Sequence, residues 1–159
     1  MIVVMTGDLK HGRTVRSLCY LLGKFQNIKI IFIAPKHLAI QNDIKSYLKK
    51  HNITFTEQTD LNKYLPLADI VYMTRIQKER MSNLSNLNDK NLDLKYQITE
   101  DNLKLLKKDA RLLHPLPHVD EIQLSIEIEQ TDRRIAYFRQ AENGLYIRMA
   151  LLAYLLGKI

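Results

Sequence analysis

The stretch Met1-Ile2-Val3-Val4-Met5-Thr6-Gly7-Asp8-Leu9-Lys10-His11-Gly12-Arg13-Thr14-Val15 decides the fold. Its first five residues form an apolar run of strand length, and Gly7 ends it. A turn holding two glycines follows. From Thr14 to Phe25 the residues Val15, Leu18, Cys19, Leu22 and Phe25 recur at three- and four-residue spacing, which predicts a helix with Gly23 as its one weak point. Strand, glycine turn, helix is the opening unit of a parallel α/β sheet.

The pattern repeats outward from there. Lys29 to Ala34 reads as a second strand, stopped by Pro35, and Leu38 to Lys50 as a helix with Ile40, Ile44, Tyr47 and Leu48 on one face. Ile53 to Phe55 and Asp69 to Met73 read as two more strands. Thr99 to Lys107 reads as a helix with Thr99 as N-cap and Glu100 and Asp101 in its first turn. Arg111 to Leu113 is a fifth strand, cut off by Pro115 and Pro117, and a helix from about Asn143 to Leu156 closes the chain. Met81 to Asn91, rich in Asn and Ser, reads as a mobile loop. The expected architecture is a doubly wound, Rossmann-like α/β sheet of about five parallel strands with helices on both faces. Residues 1–159 are expected to form a single domain. The immediate start on a strand suggests a chain cut at a domain boundary.

Composition fits that architecture. Apolar residues make up 46% of the chain and charged residues 26%, a globular balance. No apolar run approaches the roughly 18 residues of a bilayer span, and Met1–Met5 lacks the basic lead of a signal peptide. Cys19, the single cysteine, excludes an intrachain disulfide, fits a reducing cytoplasmic setting, and reads as a packed thiol on a helix face. The net charge of +7 is spread in small lysine clusters without an arginine-rich arm, so anionic small substrates suit it better than nucleic acid.

In such sheets ligands bind beyond the carboxyl ends of the strands, so the polar residues there are the candidates. After the first strand, Gly7 to Thr14 approaches a P-loop, but Arg13 stands where the phosphate-binding lysine belongs and no strand ends in a magnesium-binding Asp. Arg13 at a helix start instead offers a bidentate fork to a carboxylate. After the fourth strand come Arg75, Gln77 and Glu79, the last placed four residues on to orient Arg75. Two arginines from different strand ends would suit a dicarboxylate. After the fifth strand, His114-Pro115-Leu116-Pro117-His118 forms a rigid turn whose backbone carbonyls could accept an ammonium group, with one X-Pro bond a candidate for cis. The two histidines lack further ligands at metal spacing, so no metal is expected. The bland alternatives are a surface ion pair for Arg13, a solvated helix start for Arg75 and a plain strand-terminating loop at 114–118.

Taken in register, Gly-Asp-Leu-Lys-His-Gly-Arg-Thr-Val at 7–15, Tyr-Met-Thr-Arg-Ile-Gln-Lys-Glu-Arg at 72–80 and His-Pro-Leu-Pro at 114–117 resemble the aspartate/ornithine carbamoyltransferases. Phe-Ile-Ala-Pro at 32–35 and Asn143-Gly144 before the last helix look alike as well. Pro115, where the ornithine enzymes carry Cys, and the lack of Ser-Met-Gly favour the aspartate branch. The resemblance implies that Arg13, Arg75 and Gln77 bind the carboxylates of L-aspartate. It implies that the Leu116 carbonyl receives the amine, with Leu116–Pro117 cis, and that Glu79, His114 and Pro115 support the site. A loop near 76–91 would close over the substrates. It also implies carbamoyl transfer from carbamoyl phosphate without cofactor or metal, and a trimer. The Ser-Thr-Arg-Thr loop of the carbamoyl-phosphate half is missing from these residues, so the expectation is a half-site that needs an N-terminal domain. His118 stands where the family often has Arg, which leaves its role open and makes it a candidate for pH sensitivity. A non-catalytic dicarboxylate-binding or assembly module that kept the fold is the principal alternative. The last helix is apolar almost all round, so one face is expected on the sheet and another against a further partner.

Overall fold

The structure is a computed structural model, and it describes residues 1–76 and 95–158. Its strands are β1 (Ile2–Thr6), β2 (Lys29–Ile33), β3 (Thr54–Gln58), β4 (Ile70–Met73), β5 (Ile98–Thr99), β6 (Arg111–Leu113) and β7 (Ile122–Gln123). Five of them form one parallel sheet in the order β3-β2-β1-β4-β6. The short strands β5 and β7 pair apart, also in parallel. The helices are α1 (Arg13–Leu22), α2 (Asn42–Lys50), α3 (Leu61–Tyr64), α4 (Glu100–Leu103), α5 (Ile126–Thr131) and α6 (Tyr137–Leu155).

Two-residue alternation along the strands divides the core. Val3, Met5, Ile30 and Phe32 pack on one face of the sheet, against Val15, Cys19 and Leu22 of α1 and Ile44 and Leu48 of α2. Val4, Ile31, Ile33, Val71 and Met73 pack on the other, against Leu61 and Leu65, Leu103, Leu106 and Tyr137. The central strands are covered on both sides, which is why they are continuous apolar runs. Each fully buried Ile or Leu stabilises the fold by on the order of 2 kcal/mol. The expected five-stranded parallel sheet with helices on both faces is the one observed.

Several boundaries differ from expectation. The chain leaves the α1 helix at Gly23, and Asn27, at φ 60°, turns it into β2, so Phe25 is exposed and off the helix. The helix expected from Leu38 begins only at Asn42. A 3-10 turn at Lys36–Leu38 precedes an extended link, and Leu38 and Ile40 are both buried, two residues apart, as extended chain allows. The helix expected to reach Lys107 ends at Leu103. Thr99 and Asn102 form the capping box at its start, but the Arg134 guanidinium takes the carbonyls of Leu103 and Leu106, and i,i+3 turns replace further helix. The last helix starts at Tyr137, so Asn143 and Gly144 lie inside it rather than before it. Of its residues only Tyr137 is buried: α6 leaves the sheet after its first turn, and the expected sheet-facing stripe is exposed too. The stretch 81–91, expected to be a mobile loop, lies outside the described residues.

The order of strands sets the location of the site. From β1 the chain winds outward through β2 and β3, then returns past β1 to β4 and on to β6. The direction of winding therefore reverses between β1 and β4, and a crevice opens beyond the carboxyl ends of these two parallel strands.

Candidate functional site

The crevice is closed at its floor by backbone contact. Thr74, just past β4, donates its N–H to the Thr6 carbonyl at 2.9 Å and its hydroxyl to the same oxygen at 3.1 Å. Gly7, at φ +108°, passes so close to Thr74 that any side chain would strike the Thr74 carbonyl. The turn after β1 is then shaped by Asp8. This buried carboxylate accepts the His11 N–H at 2.9 Å and lies 3.1 Å from His11 Nδ1. The turn delivers Arg13 as the first residue of α1.

Three strand-end segments meet above that floor. A cleft of about 280 Å³ is lined by Asp8, His11, Gly12, Arg13 and Thr14 after β1, by Thr74 and Arg75 after β4, and by His114, Pro115, Leu116 and Pro117 after β6. Arg13 is exposed and Arg75 half-buried. Tyr72, beneath the cleft, keeps its phenol protonated: burial pushes its pKa up, only partly offset by a hydrogen bond with Thr14.

The segment after β6 is fixed from several directions. The Leu116–Pro117 bond is cis, and Leu116 stands at φ 50°, in the left-handed region. Its N–H donates to His114 Nδ1 at 2.9 Å. His114, 1% exposed, donates its own backbone N–H to Gln140 Oε1 of α6 at 3.1 Å. On the far side of the ring, Nε2 lies 3.0 Å from Glu121 Oε1, close in distance but out of line for a hydrogen bond. The same Glu121 oxygen accepts the Val119 N–H at 3.2 Å. Burial raises the Glu121 pKa, but the adjacent His114 ring and nearby backbone N–H groups outweigh it and hold this carboxyl below its ordinary range. His118 points the other way: its Nε2 lies 2.9 Å from Glu129, whose carboxylate also takes the buried Tyr137 hydroxyl.

A cleft lined by two arginines and a rigid backbone turn has the chemistry to bind a molecule that carries two carboxylates and an amine. A domain described as "Aspartate/ornithine carbamoyltransferase, Asp/Orn binding domain" matches residues 1–155. The chain belongs to this carbamoyltransferase family. Aspartate carbamoyltransferase 1, chloroplastic, of Pisum sativum is 46% identical over 154 residues, covering 97% of this chain and 39% of the relative. The aspartate carbamoyltransferase catalytic subunit of Clostridium acetobutylicum is 43% identical over 156 residues, covering 96% of this chain and 48% of the relative. Among solved structures, the catalytic subunit of M. jannaschii aspartate transcarbamoylase superposes with a TM-score of 0.87 at 35% identity, over 99% of this chain and 49% of that one. The Trypanosoma cruzi aspartate transcarbamoylase in complex with N-(phosphonacetyl)-L-aspartic acid gives 0.83 at 32% identity, over 96% and 48%. The chain thus spans about half, or less, of the length of these carbamoyltransferases.

Of the residues singled out in the sequence, Arg13, Arg75, His114, Pro115, Leu116 and Pro117 line one cleft. Gln77 and Glu79 lie outside the described residues. Among the described residues no group of three or more His, Cys, Asp or Glu could hold a metal ion, and no helix is long and apolar enough to cross a membrane. Sequence reasoning did not single out Asp8, Glu121 or Gln140. Asp8 stood inside a quoted motif, but nothing in its spacing revealed that it is buried. Gln140 carried no signal, since it lies before the expected start of the last helix.

Proposed function

We propose that this chain is the L-aspartate-binding half of an aspartate carbamoyltransferase, the enzyme that makes N-carbamoyl-L-aspartate in pyrimidine synthesis. The convergence of Arg13, Arg75 and Leu116 on one cleft carries the proposal. In this reading the guanidinium groups of Arg13 and Arg75, with Gln77, take the two carboxylates, and the Leu116 carbonyl accepts a hydrogen bond from the amine. Glu79 orders Arg75, and His114, Pro115 and Pro117 hold the turn. The amine nitrogen, having lost a proton, attacks the carbonyl carbon of carbamoyl phosphate. A C–N bond forms, the C–O bond to phosphate breaks, and phosphate leaves with the electron pair and takes up the proton that the attacking nitrogen sheds. The contribution of these residues is orientation of the nucleophile, an effect worth several orders of magnitude in rate, so neither metal nor redox cofactor enters the step.

Carbamoyl phosphate belongs, in this reading, to an N-terminal domain corresponding to the remaining length of the relatives, and residues 1–159 form the aspartate domain alone. The exposed apolar surface of α6 supports a partner of that kind: Ile147, Leu152, Tyr154 and Leu155 are each at least 60% exposed. A homotrimer in the cytoplasm is the assembly and location that accompany the reading.

The experiment is an assay of carbamoyl-aspartate formation, paired with an L-aspartate titration. The chain alone is expected to bind aspartate weakly and to turn nothing over. Adding a carbamoyl-phosphate-binding half should start the reaction, and Arg75→Ala should abolish it. Wild-type aspartate affinity in Arg75→Ala would overturn the assignment of Arg75. Retained dicarboxylate binding with no turnover under any complementation would favour the non-catalytic module.

A further inference from the structure

We infer that His114 and Glu121 are a positioning pair that aims the Leu116 carbonyl at the substrate amine, and that they thereby set the preference for an amino dicarboxylate over a plain one. The inference rests on the proposed aspartate site and deepens it. A backbone N–H can only donate, so the Leu116 N–H at 2.9 Å makes His114 Nδ1 an acceptor and leaves the ring proton on Nε2. That proton lies beside the Glu121 carboxylate, whose Oε1 is 3.0 Å from Nε2 although out of line with the N–H. A carboxylate beside the N–H of an imidazole increases electron density at the opposite nitrogen, as it does for metal-binding histidines. Nδ1 thereby becomes a stronger acceptor for Leu116.

The consequence falls on one backbone unit. Leu116 holds φ 50°, a value that a side-chain-bearing residue keeps only when its surroundings enforce it. His114 grips its N–H from one side, and Glu121 grips the Val119 N–H from the other. The ring itself is 1% exposed and anchored through its backbone to Gln140. The buried pair therefore acts through Leu116, while Arg13 and Arg75, beyond the ends of other strands, handle the carboxylates.

The test uses the 159-residue chain and two ligands, L-aspartate and succinate, which differ by the amine, titrated by chemical-shift perturbation. His114→Phe keeps the ring volume and removes the acceptor. His114→Asn puts an amide oxygen close to the position of Nδ1. Glu121→Gln keeps an oxygen for Val119 but removes the charge. His114→Phe should weaken aspartate by about tenfold, the scale of one hydrogen bond to a charged group, and leave succinate within about twofold. His114→Asn should recover most of the loss, and Glu121→Gln should show a smaller loss of the same selectivity. Arg75→Ala should weaken both ligands alike. Equal weakening of aspartate and succinate in His114→Phe, or none, overturns the inference while leaving the aspartate site standing. If His114→Phe does not fold, Glu121→Gln decides the matter by the same ratio of affinities. A wild-type chain that binds neither ligand overturns the site itself.

Discussion

A Cβ built on Gly7 would lie 2.0 Å from the carbonyl oxygen of Thr74 and 2.6 Å from its hydroxyl. The two strand ends that carry Arg13 and Arg75 are therefore in backbone contact, and glycine is the residue that allows it at φ +108°. Gly7→Ala should destabilise the fold by about 3 kcal/mol or more, through a left-handed backbone and a steric clash together. Gly144 is the control: it lies within α6 and its nearest neighbour to an added Cβ is Arg148 at 3.9 Å. Gly144→Ala should stabilise by about 0.5–1 kcal/mol through helix propensity. Urea unfolding of the two variants checks both signs.

Arg134 should matter more than its partly exposed position suggests. It pairs with Asp132 at 2.5 Å and closes the carbonyls of Leu103 and Leu106 at 2.8 and 3.3 Å. Arg134→Ala should cost about 2 kcal/mol, because it leaves carbonyls at a helix end without a donor. A urea midpoint unchanged from wild type would contradict this.

Stability should fall in acid, and the sign follows from two carboxyls. The hydrogen bond from Arg134 holds Asp132 below its ordinary range, against burial; Glu121 is likewise held low despite its burial. A depressed folded pKa gives stability that is complete above the unfolded value and is lost as pH falls through the folded one. The unfolding midpoint should thus be flat above about pH 5 and drop below about pH 4. Asp132→Asn should lower the plateau and shallow the drop, which a pH series of urea titrations would resolve.

Cys19 is expected to be inert in the folded chain. It is fully buried on α1, 3.7 Å from Met5 Sδ, and burial pushes its thiol up to about 12, with the Arg16 charge only partly opposing. Alkylation at pH 8 should be slower by orders of magnitude than in urea, since only the thiolate reacts. Rapid labelling of native protein would contradict the packing.

β1, β2, β4 and β6 were legible because each carries an apolar run bounded by Gly, Pro or polar residues, and β6 matches its expected bounds at Arg111 and Leu113; the edge strand β3 is largely polar and runs from Thr54 to Gln58, past the expected end at Phe55. The helix ends were less legible because long-range groups fix them. Arg134 reaches back some thirty residues to end α4, and no local pattern near Leu103 announces it. The strands β5 and β7 are two residues each, too short for a period to show. In the site, the three motifs showed which strand ends would meet. They were silent on the buried scaffold, since His114 Nδ1 and Glu121 act on backbone N–H groups rather than on anything a motif spells.

The outer face of α6 should control solubility. Leu152 and Leu155 are 60% and 69% exposed, so replacing both with Glu removes apolar surface from water without opening the core. The double variant should self-associate less than wild type in sedimentation velocity, at equal thermal stability. Wild-type chain that is already monomeric at high concentration would contradict the prediction.

The same helix has a second property. Its first turn holds the backbone of His114 through Gln140, while its later turns stand clear of the sheet. It is a lever with one arm in the binding turn and the other offered to whatever covers the apolar face. Any protein that grips the outer arm and shifts its angle acts on the Leu116 turn as well. Thermodynamic reciprocity then requires that ligand at the turn and partner on the helix change each other's affinity by the same factor. Gln140→Ala should uncouple the two, which paired titrations with and without the partner would read as that factor falling to one.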